Sequence, residues 1–263
     1  MDLNVFRFAD IFYKLTKTRF YIACQELFGK IINLYIWVFC SLVVMGYVMQ
    51  SFGLGIHYGC FQLATIMGTV GLFEIYGNSF RWMIDFEGDR HMSYYLTLPI
   101  RPSVVLWSMI TSYVLMGLIL SCFVLPFGKL ILFNSFSLAD ISWIKFIIIT
   151  IISNIFYGVF TVAVTAHVGA ISKMENVWTR FIFPLWFMGG FQFSWGSIYN
   201  LSQPLSYVLL GNPVLYVMEG TRAALLGQKD CLPWWLCCVV LSFFTVLCWF
   251  YAKYKMKRLL DFV

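Results

Sequence analysis

Charge is what this chain has least of. Only 11% of its 263 residues are Asp, Glu, Lys or Arg, against 61% hydrophobic residues, and a solvated soluble domain cannot be built from that balance. Motifs that carry chemistry are scarce too. No G-x-x-x-x-G-K-[ST] phosphate loop occurs, since Gly128-Lys129 lacks both the upstream glycine and the following hydroxyl residue. An uphill transport step would therefore draw its energy from another subunit. The eight cysteines, at positions 24, 40, 60, 122, 231, 237, 238 and 248, form no C-x-x-C pair and fall largely in apolar runs, where cysteine behaves as a small apolar residue. His57, His91 and His167 share no spacing with carboxylates that would make a metal triad. No nucleophile with a base and no pair of catalytic acids appears, so no catalytic residue, metal ligand or cofactor is assigned and the chain is not read as an enzyme.

What is present is apolar length. Mean hydropathy is +0.81, and charge-free tracts run from Ile31 to Phe73, Pro102 to Gly128, Phe146 to Ser172, Phe181 to Met218 and Cys231 to Ala252. An apolar helix needs roughly 20 residues to cross about 30 Å of hydrocarbon, so each tract is long enough. The first holds two spans, because Ser51-Phe-Gly-Leu-Gly-Ile-His-Tyr-Gly59 places three glycines where a turn would fall. The expectation is an all-α membrane protein with six transmembrane helices, at Ile31–Gln50, Tyr58–Phe80, Ser103–Leu132, Trp143–Ala170, Phe181–Tyr199 and Trp234–Ala252. With both termini in the cytoplasm, Arg7, Lys14, Lys17, Arg19, Lys30, Arg81, Arg90, Arg101, Lys173, Arg180, Lys253, Lys255, Lys257 and Arg258 lie inside. Lys129, Lys145, Arg222 and Lys229 lie outside, the asymmetry expected of short basic inner loops. The net charge of +6 is thus a topology signal, and no nucleic-acid partner follows from it.

Two segments depart from simple spans. In residues 1–30, Val5, Phe8, Phe12 and Leu15 recur at helical spacing while Lys14, Lys17 and Arg19 lie off that stripe. This is the pattern of an amphipathic helix in the inner interface, or of an extension of the first span. Residues 200–229 are apolar but broken by Pro204 and by Gly211-Asn-Pro213, and they carry Glu219 and Arg222. A full crossing would export the basic tail at Lys253. An external re-entrant hairpin avoids this, with Pro213 near the start of its second helix, where a missing N–H costs nothing. Irregular backbone at that depth needs cover from protein or a water cavity, at a subunit interface or over a translocation path. Glu219 and Arg222 stand at i and i+3 and can face one another.

Single residues leave alternatives open. Glu74 is a carboxylate inside a span, by default a functional hypothesis, or else a residue near the inner end of the second helix tied to Arg81 or to interfacial water. His167 reads as an interhelical hydrogen bond rather than a proton relay. The aromatic residues, 20% of the chain, line a path or face lipid, and Trp82, Trp143, Trp234 and Trp235 fall at span ends as interfacial anchors do. The compact loop of residues 81–103, with Asp85, Glu87, Asp89 and Arg90, is a docking element or a solvated turn.

The chain resembles the permease half of a type-2 ABC exporter, the group of polysaccharide, nodulation-factor and drug exporters. Two motifs carry the resemblance. Glu87-Gly88 followed by Tyr94-Tyr-Leu-Thr-Leu-Pro-Ile-Arg-Pro102 is similar to the family's Glu-Gly, short helix and Pro-Ile-Ser/Arg pattern. Asn212-Pro-Val-Leu-Tyr-Val-Met-Glu-Gly-Thr-Arg222 is similar to its Asn-Pro-Leu-x-Tyr/His-x-x-Glu-x-x-Arg segment. The chain departs from the family at Met188-Gly-Gly-Phe-Gln-Phe-Ser-Trp-Gly196, which lacks the proline of an apolar-Gly-x-x-Phe-Pro segment. The resemblance implies a multi-pass subunit of a bacterial inner membrane, dimeric, most simply a homodimer, and paired with two copies of a cytoplasmic ATPase that binds ATP and Mg. Asp85, Glu87, Gly88, Asp89, Arg90 and Pro99 would couple to that ATPase. Asn212, Pro213, Tyr216, Glu219 and Arg222 would form an external gate, and an amphipathic or lipid-linked substrate (glycan, lipid or drug) would move outward through the membrane. The other readings are a membrane-embedded enzyme acting on lipid, which would need more intramembrane ionisable groups than Glu74 and His167, and a passive channel or scaffold.

Overall fold

The computed structural model describes residues 2–53, 55, 57–88, 94–95, 100–133, 135–227 and 231–260. All regular structure among them is helical. Helix α1 spans Asp2–Gln25. Helix α2, Leu27–Val43, continues through a π turn at Val44–Val48 and a 3-10 turn at Met49–Phe52. Helices α3 (Tyr58–Glu87), α4 (Pro102–Ile131) and α5 (Trp143–Val168) follow. A broken helical path then runs from Ile171 to Phe187, with α6 at Met174–Val177, a π turn at Trp178–Ile182 and α7 at Phe183–Phe187. Three short helices, α8 (Trp195–Leu201), α9 (Gln203–Leu209) and α10 (Pro213–Leu225), precede the last long helix, α11 (Trp234–Leu260).

Among the described residues five helices are long and apolar enough to cross a membrane: Leu27–Phe52, Tyr58–Glu87, Pro102–Ile131, Trp143–Val168 and Trp234–Arg258. Their outward faces carry bare apolar side chains such as Phe39, Ile144, Val239, Phe243 and Phe250, an arrangement that suits lipid and not water. Together they suggest a multi-pass membrane protein. The glycine-rich turn expected between the first two spans is there, with Gly53 at φ 96° ending the α2 path. Below it Gly46 meets Gly59, where a Cβ on Gly59 would lie 3.1 Å from the Gly46 Cα; small residues allow such backbone approach between membrane helices.

The expected span Phe181–Tyr199 is not one helix. Its chain ends a helical path at Phe187 and turns through residues 188–194 before α8 begins. Gly190 sits at φ 87°, a conformation open to glycine, and a Cβ on Gly189 would lie 2.6 Å from the Leu185 carbonyl oxygen. Two further boundaries shift. The second span continues as helix to Glu87, so Arg81–Glu87 is not loop. Short helices begin at Trp195, ahead of the residue 200 at which the hairpin is expected to start.

Helices α3 and α5 form the centre. Gly68 and Gly71 let α3 be approached from two sides: a Cβ at 68 would meet Val217 and Thr221 of α10, and one at 71 would lie 2.4 Å from the Tyr157 ring of α5. Tyr157 in turn donates its hydroxyl to the Gly68 carbonyl at 2.9 Å. Helix α1 packs along α4. Phe12 and Leu15 are half-buried while Lys14 and Lys17 are exposed, in line with the expected stripe, but Arg19 is not a solvated residue. Its guanidinium lies 4.8 Å from the Tyr95 ring centre, and burial lowers its pKa from the usual arginine value.

Candidate functional site

The most highly organised polar site is built on α10. Asn212 caps that helix, its side-chain oxygen accepting from the Val214 N–H at 3.0 Å, with Pro213 in the first turn. The Asn212 amide also donates to the Leu185 carbonyl at 2.8 Å, and the Tyr216 hydroxyl donates to the Leu210 carbonyl at 2.8 Å, closing the bend between α9 and α10. All thirteen residues of α10 are buried, against α3, α5 and α11. The cover expected from a subunit interface or a translocation path thus comes from the chain's own helices.

Glu219 and Arg222 face each other at 3.0 Å with both side chains at 0% exposure. An arginine carries five N–H donors, and here all five are engaged. Nε and Nη2 reach the Thr65 hydroxyl of α3 at 3.0 and 2.6 Å. Nη1 serves the Phe193 carbonyl and Glu219, each at 3.0 Å, and Nη2 also serves the Gly190 carbonyl. The guanidinium lies 3.8 Å from the centre of the Phe61 ring. The Glu219 carboxylate accepts from the backbone N–H of Trp195 and of Leu232, each at 3.0 Å. One ion pair therefore ties together the turn before α8, α10 itself, the segment leading into α11 and the early turns of α3. Burying two charges costs several kcal/mol per ion unless the remaining donors and acceptors are satisfied, and here they are.

The chain directions follow from these contacts. Going from Val217 to Arg222 along α10 means going from Gly68 back to Phe61 along α3, so the two helices are antiparallel. The Ala224 carbonyl accepts from the Ser142 N–H at 3.0 Å, just before α5. One end of the bundle thus gathers Tyr58, Ser142, Arg222 and Leu232, and the other gathers Glu87, His167 and the basic tail.

At that second end the sequence-predicted docking residues divide. Asp85 and Glu87 lie in the last turn of α3 and Gly88 caps it, its N–H bonding the Ile84 carbonyl at 2.8 Å. Asp89, Arg90 and Pro99 lie outside the described residues. Glu87 accepts from the Ile171 N–H at 2.8 Å, so it joins α3 to the start of the 171–187 path. Sequence reading missed this bond, as it missed Thr65 and Phe61, because partners 84 and 157 positions apart leave no local spacing.

Glu74 is paired, but with Lys30 rather than Arg81. Arg81 pairs with Glu26, so two ion pairs join the start of α2 to α3. A cavity of about 200 Å³ beside Lys30 and Glu74 is lined by Trp37, Val70 and Phe73 among others. Aromatic rings continue from it. Trp37 and Phe73 meet edge-on with centroids at 4.8 Å, and Trp178, Trp186 and Phe191 extend the cluster. His167 makes the expected interhelical bond, Nδ1 to the Tyr251 hydroxyl at 2.6 Å. Trp143 and Trp235 are exposed at helix starts, as anchors would be, whereas Trp82 is buried at 4% exposure and its indole N–H bonds the Tyr113 hydroxyl. Trp82 is a packing residue, not an anchor.

Searches against protein-family models, curated proteins and solved structures found no match to this chain.

Proposed function

We propose that this protein is the membrane-spanning permease subunit of an ATP-driven ABC exporter, working as a homodimer with two copies of a cytoplasmic ATPase in a bacterial inner membrane, both termini cytoplasmic. The observation that carries this reading is α3. It is a single 30-residue helix whose last turn holds the charged docking residues Asp85 and Glu87. Its early turns hold Phe61 and Thr65, the residues that seat Arg222. A rigid helix of this length spans about 45 Å, so a push at Gly88 is felt at the buried ion pair. Helices α8 to α10 then act as a re-entrant hairpin entering and leaving at the outer face, with Asn212, Pro213, Tyr216, Glu219 and Arg222 as its gate. The path from Ile171 to Phe187 supplies the remaining crossing, which keeps the basic tail inside. Loss of the Arg222 contacts on one state of α3 and their return on the other is the two-state element such a cycle needs. The Lys30–Glu74 pair beside Trp37, Phe73, Trp178 and Trp186 offers a charged and aromatic surface fitting an amphipathic or lipid-linked substrate.

The test is Gly88→Trp in the chain co-expressed with its ATPase. A bulky side chain at the proposed docking turn is expected to lower recovery of the complex by about 30-fold or more, since about 2 kcal/mol, the low end of the roughly 2–5 kcal/mol that a disrupted interfacial contact costs, is about a factor of 30, while the spans still insert. Normal co-purification together with normal export would remove residues 85–88 as the coupling element.

A further inference from the structure

A second, larger cavity lies at the basic end of the bundle, away from the aromatic cluster and from the Glu219–Arg222 pair. Its volume is about 700 Å³, within the range of cavities that hold small ligands. It opens between α5, the 171–187 path and α11. The inner wall is apolar, with Phe160, Val164 and Leu247. The rim is basic, with Lys173 and Arg180, and with His167 held by Tyr251. Among the described residues no acidic side chain lines it. Lys173 and Arg180 are exposed and form no salt bridge among the described residues. The wall of α11 at Leu247 and Tyr251 runs directly into Lys253, Lys255, Lys257 and Arg258, so the cavity mouth lies where that helix meets an interface.

We propose that this cavity binds one anionic glycerophospholipid from the leaflet at the basic end, its phosphate between Lys173, Arg180 and His167 and an acyl chain along Phe160, Val164 and Leu247. Unpaired cations around an apolar slot at a membrane interface complement a phosphate head joined to a hydrocarbon chain. A second copy of the same face would bring Lys173 and Arg180 against their own like charges, which disfavours that occupant. The lipid would bridge α5, the 171–187 path and α11, of which α5 and α11 meet here through the His167–Tyr251 bond. The proposal is independent of the transport reading, since it needs no ATPase.

The experiment is native mass spectrometry of the purified chain, without any ATPase, titrated with dioleoyl phosphatidylglycerol and, separately, dioleoyl phosphatidylcholine. One tightly held phosphatidylglycerol is expected. Since each basic residue near an anionic headgroup contributes about a factor of five, the Lys173→Gln/Arg180→Gln variant is expected to lose the preference for that lipid by roughly 25-fold. Leu247→Trp, which fills the slot without altering charge, is expected to displace the lipid as well. Lys145→Gln, at the far end of α5, should leave binding as it was. An unchanged preference in the double variant, equal retention of both lipids, or displacement by glycerol 3-phosphate as effective as by the lipid itself would each overturn the assignment.

Discussion

Glu219 and Arg222 illustrate how two charges become tolerable at zero exposure. Each supplies what the other lacks, and the backbone of residues 190–195 and of Leu232, with the Thr65 hydroxyl, supplies the rest. Removing one partner of a buried pair costs about 3–5 kcal/mol because the other charge is left uncompensated. Glu219→Gln and Arg222→Gln are each expected to lower the thermal midpoint of the detergent-solubilised protein, and the double variant to lower it by less than the sum. Additive losses would mean that the pair is not coupled. Gly71 makes a purely steric case. With a Cβ 2.4 Å from the Tyr157 ring, Gly71→Ala must push α5 off α3 or turn Tyr157 away from the Gly68 carbonyl. A destabilisation of about 1–3 kcal/mol is expected from overpacking, and an unaltered unfolding midpoint would show that this contact yields freely.

At the scale of elements, the sequence disclosed what depends on local spacing. The breaks at Gly53 and Gly211-Asn212-Pro213, the i, i+3 pairing of Glu219 with Arg222 and the half-buried Phe12 and Leu15 of α1 were all readable, because each is set within a few residues. Phe181–Tyr199 misled because an uncharged run satisfies hydropathy whether or not Gly189-Gly190 turns it. Glu74 leaves open a functional carboxylate or a tie to Arg81 or interfacial water, and the cation that pairs with it comes from α2, forty-four positions away. Trp82 sat at an expected span end, and only the length of α3 takes it into the core. The antiparallel packing of α10 on α3 leads to a topological expectation. In a cysteine-free background, single cysteines at Gln203 and Leu226, both exposed, should react in intact cells with a membrane-impermeant thiol reagent, while one at Lys257 should not. Labelling at Lys257 together with only one of the other two positions would mean that residues 203–226 cross the bilayer, and the gate would have to be abandoned.

For the whole molecule, the charged last turn of α3, proposed as the docking surface, and the buried Glu219–Arg222 pair lie at opposite ends of one helix, with the 171–187 path joined to both: Glu87 holds its start at Ile171, and Arg222 holds the Gly190 and Phe193 carbonyls just past its end. The chain has no phosphate loop of its own, so the exporter reading stands or falls on a partner. The most direct measurement is to purify the tagged chain from membranes of its own host in mild detergent and assay ATP hydrolysis in the preparation. The account predicts a co-purifying soluble polypeptide with a phosphate loop, at one copy per membrane chain, and vanadate-sensitive hydrolysis that vanishes when that polypeptide is stripped away. Hydrolysis by the stripped chain alone, or a chain that purifies without any ATPase and still moves its substrate, would contradict it.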